Sequence, residues 1–291
     1  MELLVTLKNI DYIKRFKDYG VFGVIAGTPV FSSRYMFDLE DLKIIKDECE
    51  HYNLDMYISI DTMIEEKERA LLYEYLEFIK GLDVKGIYFT DLAILKAAKD
   101  LKLESKLIYD PSTLITNSLD AYFYLSQGID SVMAAREITL DEITEISKNN
   151  NCDIDMQIFG YVKTAMSKRH FLSNYFKHLG QNYNVSNKET LKIVEESRDY
   201  EMPITETKYG TNIYTDYILC TYEEYHHLRH YIKRAIIDDI FIREDMLFDV
   251  LKDYQRCNDD NASLLLNNLK LKYYKYTFDK GYLYQKTNLT K

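Results

Sequence analysis

Residues 159–176 read FGYVKTAMSKRHFLSNYF. They hold Lys163, Lys168, Arg169 and His170, three aliphatic hydroxyls and no carboxylate, in a chain whose formal net charge is −10. The stretch follows an apolar run, DMQIF at 155–159, of the kind that forms a buried strand. A guanidinium presents a planar fork that matches a carboxylate or phosphate. A neighbouring Asp or Glu can orient that fork or move protons. Similar polar residues stand behind other apolar runs: Ser32, Ser33 and Arg34, then Asp61, Asp91, Asp110, Arg136 with Glu137, and Arg243 with Glu244. From this inventory Asp91, Asp110, Glu137 and His170 are candidate acid–base groups. Arg34, Arg136, Lys163, Ser167, Arg169 and Ser173 are candidate ligands for an anion. A plainer reading competes for each of them, because charged residues at strand ends also cap helices and form rim ion pairs.

The elements that must position these residues follow a regular rhythm. Short runs rich in Val, Ile, Tyr and Phe at 2–7, 22–27, 55–60, 86–90, 106–110, 130–135 and 155–159 alternate with amphipathic segments at 9–19, 38–52, 64–81, 92–101, 118–127 and 140–149. Seven such units predict a parallel sheet covered by helices, closed as a (β/α)8 barrel. An eighth strand is expected at IIDDIFI, 236–242, between helices at 222–234 and 244–255. Residues 160–215 then form a large insertion after strand seven. The barrel domain spans 1–257, and 258–291 is a C-terminal extension in which 270–286 reads as a β-hairpin turning at Asp279–Gly281. Thr139 with Glu142 is a capping-box pair, Asn117 and Ser118 are cap candidates, and Gly20 and Gly128 sit at helix ends. In a parallel barrel the functional groups stand at the C-terminal ends of the strands, which is where the polar inventory falls.

Composition narrows the chemistry. The acidic balance disfavours a bare nucleic-acid binder, which needs clustered Lys and Arg, but leaves room for a local basic patch. The start, MELLVTLKNIDYIKRF, lacks the pattern of a signal peptide, and no apolar run reaches the length of a membrane span. A cytoplasmic protein without membrane contact is expected. Cys49, Cys152, Cys220 and Cys257 form no CxxC pair and are expected to be reduced and structural. His226 and His230 have the i, i+4 spacing of metal ligands, but no third ligand stands near them in sequence, so no metal is expected. GVFGVIAGT lacks the dinucleotide fingerprint, and no Ser or Cys sits in a nucleophile elbow.

Several segments carry a family resemblance. DSVMAAREITLDEITEI, 130–146, is similar to a strand ending in Arg-Glu followed by a Leu-x-Glu-Ile helix start, and Ile115-Thr116-Asn117 to a paired LVTN-like element. DIDMQIFGYVKTAMSKRHFLSNYF, 153–176, resembles a signature of strand, Phe, Gly-centred turn, Ser-Gly-Arg-Cys and Leu-Ser, its core here reading Ser167 to Ser173. EESRDYEMPITETKYGTNI, 195–213, and the ending GYLYQKTNLTK add to it. Together they resemble the peptidase U32 (collagenase-like protease) family over nearly the whole chain. The resemblance implies one of two classes: a peptidase, hence a hydrolase, or a participant in oxygen-independent hydroxylation of RNA bases or quinone precursors. It further implies that a short, cysteine-poor member works with a longer, cysteine-bearing U32 partner in hydroxylating the wobble uridine of tRNA, with prephenate as donor. Many members ligate an iron–sulfur cluster through cysteines of the signature. The matching positions here are Lys163 and His170, and the later cysteine-rich segment is replaced by LGQNYNVSNKETLKIVEESR, 179–198. Iron–sulfur ligation needs a convergent set of thiolates, so no cluster is expected, and prephenate is the ligand the resemblance suggests. Three readings therefore stand: a cluster-lacking tRNA-hydroxylation subunit that meets tRNA through a complex, a peptidase, and a noncatalytic scaffold with a relict anion pocket.

Overall fold

The computed structural model describes residues 1–34, 37–151, 153–186, 188–196 and 199–285. Its strands are β1 (Glu2–Leu7), β2 (Gly23–Ala26), β3 (Asp55–Ile60), β4 (Gly86–Phe89), β5 (Leu107–Tyr109), β6 (Ser131–Met133), β7 (Ile154–Ser167), β8 (Lys192–Val194), β9 (Glu201–Thr207), β10 (Gly210–Cys220), β11 (Arg234–Ile237) and β12 (Phe278–Asp279). Its helices are α1 (Ile13–Phe16), α2 (Leu39–Tyr52), α3 (Arg69–Leu82), α4 (Leu92–Asp100), α5 (Ser118–Leu125), α6 (Leu140–Asn149), α7 (Phe171–His178), α8 (Tyr225–Leu228), α9 (Glu244–Arg256) and α10 (Ala262–Lys272). β1 to β7 pair in chain order, and β11 pairs in parallel with both β7 and β1. The eight strands thus close into a TIM-like barrel with helices between them. Among the described residues no helix is long and apolar enough to cross a membrane.

The barrel follows from alternation along each strand. Leu3, Val5 and Leu7 of β1 join the helices in the outer core, while Leu4 faces the lumen. Leu4, Ile25, Tyr57, Tyr88, Ile108, Met133 and Ile236 form a separate lumen layer that plugs the barrel. At its N-terminal side Arg234 donates to Ser131 Oγ at 2.8 Å, to Asp155 Oδ2 at 3.1 Å and to Glu2 Oε2 at 3.2 Å. Tyr88 donates to Asp155 at 2.7 Å. Burial raises the Asp155 carboxyl pKa more than Arg234 and Tyr88 lower it. This network ties β11 to β1, β6 and β7, and it leaves the C-terminal end of the lumen as the place where a ligand can enter.

Local signals act as the sequence implies. Thr139 and Glu142 form the capping box of α6, Asn117 caps α5, and Gly20 and Gly128 take φ of 71° and 87°. Three expectations are corrected. The eighth strand is Arg234–Ile237, not 236–242. The chain turns at Asp238, Phe241 adopts φ 59°, and Ile240 and Ile242 are buried in that turn, which is why the run resembles a strand. No helix fills 222–234: β10 runs to Cys220 and leaves room only for turns around the four-residue α8. The tail is not a hairpin. Leu265, Leu266 and Leu269 hold α10 against the core, and after the turn at Asp279–Gly281 no strand returns among the described residues. Instead β12 pairs in parallel with β10, and Leu283 accepts a bond from the Leu140 N–H at 3.0 Å.

The segment after strand seven also differs in kind. β7 does not stop at Phe159 but continues to Ser167, and its outer half pairs antiparallel with β10. Gly160, at φ 114°, marks the point where β7 leaves the barrel wall. β9 and β8 extend this outer sheet.

Candidate functional site

The barrel mouth collects charges from six strands. Arg34 follows β2 and pairs with Asp238, the residue after β11. Asp61 follows β3; it accepts the Ser33 N–H at 2.7 Å and the Ser33 hydroxyl. Lys163, on the outer half of β7, reaches back to Asp61 at 3.2 Å. Arg136, after β6, pairs with Asp110, after β5, at 3.2 Å. Burial by itself would raise the Asp61 carboxyl, but Lys163 and Arg34 outweigh it and hold Asp61 well below the usual carboxylate range. Asp238, Asp61 and Asp110 therefore each answer one of the three cations.

The fourth carboxylate behaves in the opposite way. Asp239 is fully buried. It accepts the Thr6 hydroxyl at 2.6 Å and its own N–H donates to Thr6 Oγ1 at 2.8 Å. Burial pushes its carboxyl up to about 8, so at neutral pH the proton stays on. An acid whose pKa is raised by folding binds its proton in the folded state when the unfolded chain has lost it. Stability then falls as pH rises from about 4 toward 8. Asp239→Asn keeps the shape and removes the titration. It is expected to flatten the decline in denaturant midpoint between pH 5 and 8, and urea titrations across that range check it.

A small cleft, with a cavity volume of about 30 Å³, opens above the lumen layer, lined by Arg34, Asp110, Arg136, Gln157 and Asp238, with Tyr88 below. A second cavity of about 30 Å³ adjoins it through Arg136 and Gln157 and is walled by Ala134, Met156, Leu219 and Leu283. The Arg136 side chain is 8% exposed. Only its Nη2 bonds Asp110; Nε and Nη1 are buried without a hydrogen-bond partner among the described residues. Buried donors left unmet are costly, and these two could bond acceptor atoms of a ligand. A carboxylate supplies two in the geometry a guanidinium fits.

Other sequence candidates stand elsewhere. Asp91 caps α4, accepting the N–H groups of Ala93 and Ile64, each at 2.9 Å. Glu137 is exposed beside Arg136. Ser167, Arg169, His170 and Ser173 lie beyond the mouth, because β7 carries them outward. Ser167 Oγ accepts the Arg169 N–H at 3.2 Å. Ser173 and the N–H of Leu172 bond Glu206, which is 2% exposed and also accepts the Thr211 hydroxyl at 3.1 Å. His170 stands 3.7 Å from the same carboxylate. Glu206 thus anchors the start of α7, where a negative charge meets the helix dipole. Arg243 pairs with Asp245, and Glu244 with Arg15, on the outer surface. Asp238, Asp239, Thr6 and Gln157 enter the site without being singled out by the sequence. The adjacent aspartates inside IIDDIFI are the available signal.

The positions that match the family's cluster ligands do not fit an iron–sulfur cluster. Lys163 is an ammonium paired with Asp61 and His170 lies on the outer loop. Burial pushes the Cys49 thiol up to about 12 and the Cys257 thiol up to about 11, and also raises Cys220, whereas cluster ligation needs thiolates. These three sit on α2, after α9 and at the end of β10. Cys152 lies outside the described residues. His226 pairs with Asp259 at 2.9 Å, and among the described residues no group of three His, Cys, Asp or Glu side chains is placed to hold a metal ion.

Comparison with known proteins agrees with this architecture. The chain is 26% identical to tRNA hydroxylation protein P2 of Bacillus subtilis (strain 168), over 89% of this chain and 85% of that protein. It is 24% identical to tRNA hydroxylation protein P1 of the same strain over 60% of this chain, but there it spans only 42% of the relative's length. A solved U32 peptidase superposes with a TM-score of 0.50 and 11% identity, covering 82% of this chain and 92% of that one; this likeness speaks for the fold. The model of peptidase family U32 matches residues 8–290, nearly the whole chain, and the chain belongs to that family.

Proposed function

We propose that this chain is the short, cluster-lacking subunit of a U32 pair that hydroxylates the wobble uridine of tRNA at C5, with its barrel mouth binding a small dicarboxylate, prephenate being the expected ligand. The observation that carries the reading is the pair of buried, unanswered donors on Arg136 in a cleft shared with Arg34. The two guanidinium groups of the cleft suit a ligand with two carboxylates. The relative named tRNA hydroxylation protein P2 supports the RNA-modification class, since the match spans 85% of that protein. The lack of suitable thiolates among the described residues supports a partner that supplies the redox centre.

The peptidase reading has the family name behind it but no catalytic geometry. Asp239 accepts the Thr6 hydroxyl but burial pushes its carboxyl up to about 8, so it already holds a proton, and Asp61, which accepts the Ser33 hydroxyl, is held far below its usual range. A carboxylate so acidic is a poor base and does not activate a hydroxyl. Affinity purification of the tagged chain from its own cells tests the proposal. Co-elution of a longer, cysteine-bearing U32 protein together with tRNA is the expected result. Recovery of the chain alone, with cleavage of a gelatin substrate by the pure protein, would overturn it.

A further inference from the structure

We propose that the outer face of α7 and the loops flanking it form a contact surface for the single-stranded loop of an RNA. This rests on the RNA-modification reading and assigns the contact to this chain itself. Between Asp155 and Glu189 the sequence has five Lys or Arg residues, two His and no Asp or Glu, although the chain as a whole carries −10. The structure sorts these cations. Lys163 is buried with Asp61, and Lys168 is held by Glu65 at 3.0 Å. Arg169, His170, Lys177 and His178 are exposed around α7.

α7 buries none of its residues. Phe171, Tyr175 and Leu179 recur at helical spacing along one stripe and are 45%, 56% and 48% exposed. Phe176 packs on Tyr183 with ring centroids 4.8 Å apart, and Lys188 lies 4.1 Å over the Tyr183 ring, so a further aromatic pair and cation stand next to the helix. Glu206 fixes the helix start from within the protein. A surface of exposed aromatics interleaved with cations is what unstacked bases and phosphates require. A protein partner would explain the apolar stripe but not the absence of acids, and charge complementarity therefore favours a polyanion. The position also suits the site. Ser167, before α7, lies four positions along the strand from Lys163 at the mouth, a rise of about 13 Å. RNA seated on α7 would have a nucleotide within reach of the cleft.

The test is fluorescence anisotropy of the full chain with a labelled hairpin RNA carrying a seven-nucleotide loop, and with the matching blunt duplex, across a salt series. The loop RNA is expected to bind better than the duplex. Arg169→Ala with Lys177→Ala is expected to lower the salt slope by about one to two. Tyr175→Ala is expected to weaken binding by roughly 5- to 100-fold. Wild-type RNA affinity in these variants, or absence of binding by the full chain at low salt, overturns the surface. So does a U32 protein partner that competes for α7 and leaves no RNA bound. An Arg136→Gln variant separates this from the mouth: if it loses tRNA modification while the α7 variants bind RNA normally, the surface fails and the functional reading stands. If the α7 variants lose RNA but deleting the chain leaves modification intact, the surface stands and the functional reading fails.

Discussion

Arg136→Gln is expected to raise the dissociation constant for prephenate by roughly 30-fold or more, read by isothermal titration calorimetry on the purified chain. Truncating one side of a buried, charge-assisted contact costs about 2–5 kcal/mol, and each 1.4 kcal/mol is tenfold. Gln keeps donors but loses the charge and the fork. Lysine keeps the charge without the fork, so Arg136→Lys is expected to recover only part of the affinity. The substitution also strands Asp110, whose side chain is 19% exposed and answered by Arg136. Combining Arg136→Gln with Asp110→Asn removes that stranded charge. If the double variant melts like the wild type and still fails to bind, the loss belongs to ligand recognition. If binding returns, Arg136 serves only to neutralise Asp110.

A large structural effect is expected at Gly160. Its φ of 114° lies where L side chains are rare, and an added Cβ would come within 2.2 Å of the Asp238 carbonyl oxygen. Backbone strain of about 1–3 kcal/mol adds to an overpacking cost of similar size. Gly160→Ala is therefore expected to destabilise the fold by about 3 kcal/mol or more, a fall in melting temperature of roughly 5–10 °C. The clash falls on Asp238, the partner of Arg34, so ligand affinity is expected to drop together with stability. By contrast, nothing lies within 4 Å of a Cβ added at Gly81, and Gly81→Ala is expected to melt like the wild type. Equal melting curves for the two variants would show that the β7–β11 junction tolerates a side chain, which the close approach of Asp238 to Gly160 forbids.

The barrel is legible in the sequence because strand alternation and helix capping are local. β1 to β6 need nothing beyond runs of six or fewer residues and the caps between them. The mouth is legible by halves for the same reason. Arg34, Asp110, Arg136 and Lys163 can be chosen because they follow apolar runs, and the structure gathers the first three at one cleft and sets Lys163 against Asp61. Their partners are another matter. Asp238 sits 204 residues from Arg34, and no local pattern pairs them. The apolar Ile240 and Ile242 extend the apparent strand past the two aspartates, which places both inside a strand instead of at its end. The basic stretch misleads for a related reason. FGYVK reads as the start of a loop, yet β10 lies alongside and completes its hydrogen bonds, so β7 runs on. Arg169, His170 and Ser173 move with it to the outer face. Gly160 is the signal for that exit, but a lone glycine does not say whether a strand ends or bends.

The proposed function requires this chain for hydroxylation of tRNA. The direct measurement is mass spectrometry of nucleosides from total tRNA of cells grown without oxygen, with this gene deleted and the longer U32 genes intact. Loss of the 5-hydroxylated wobble uridine, restored by the wild-type gene and not by the Arg136→Gln variant, is the predicted result. Unchanged hydroxylated uridine in the deletion strain would contradict it.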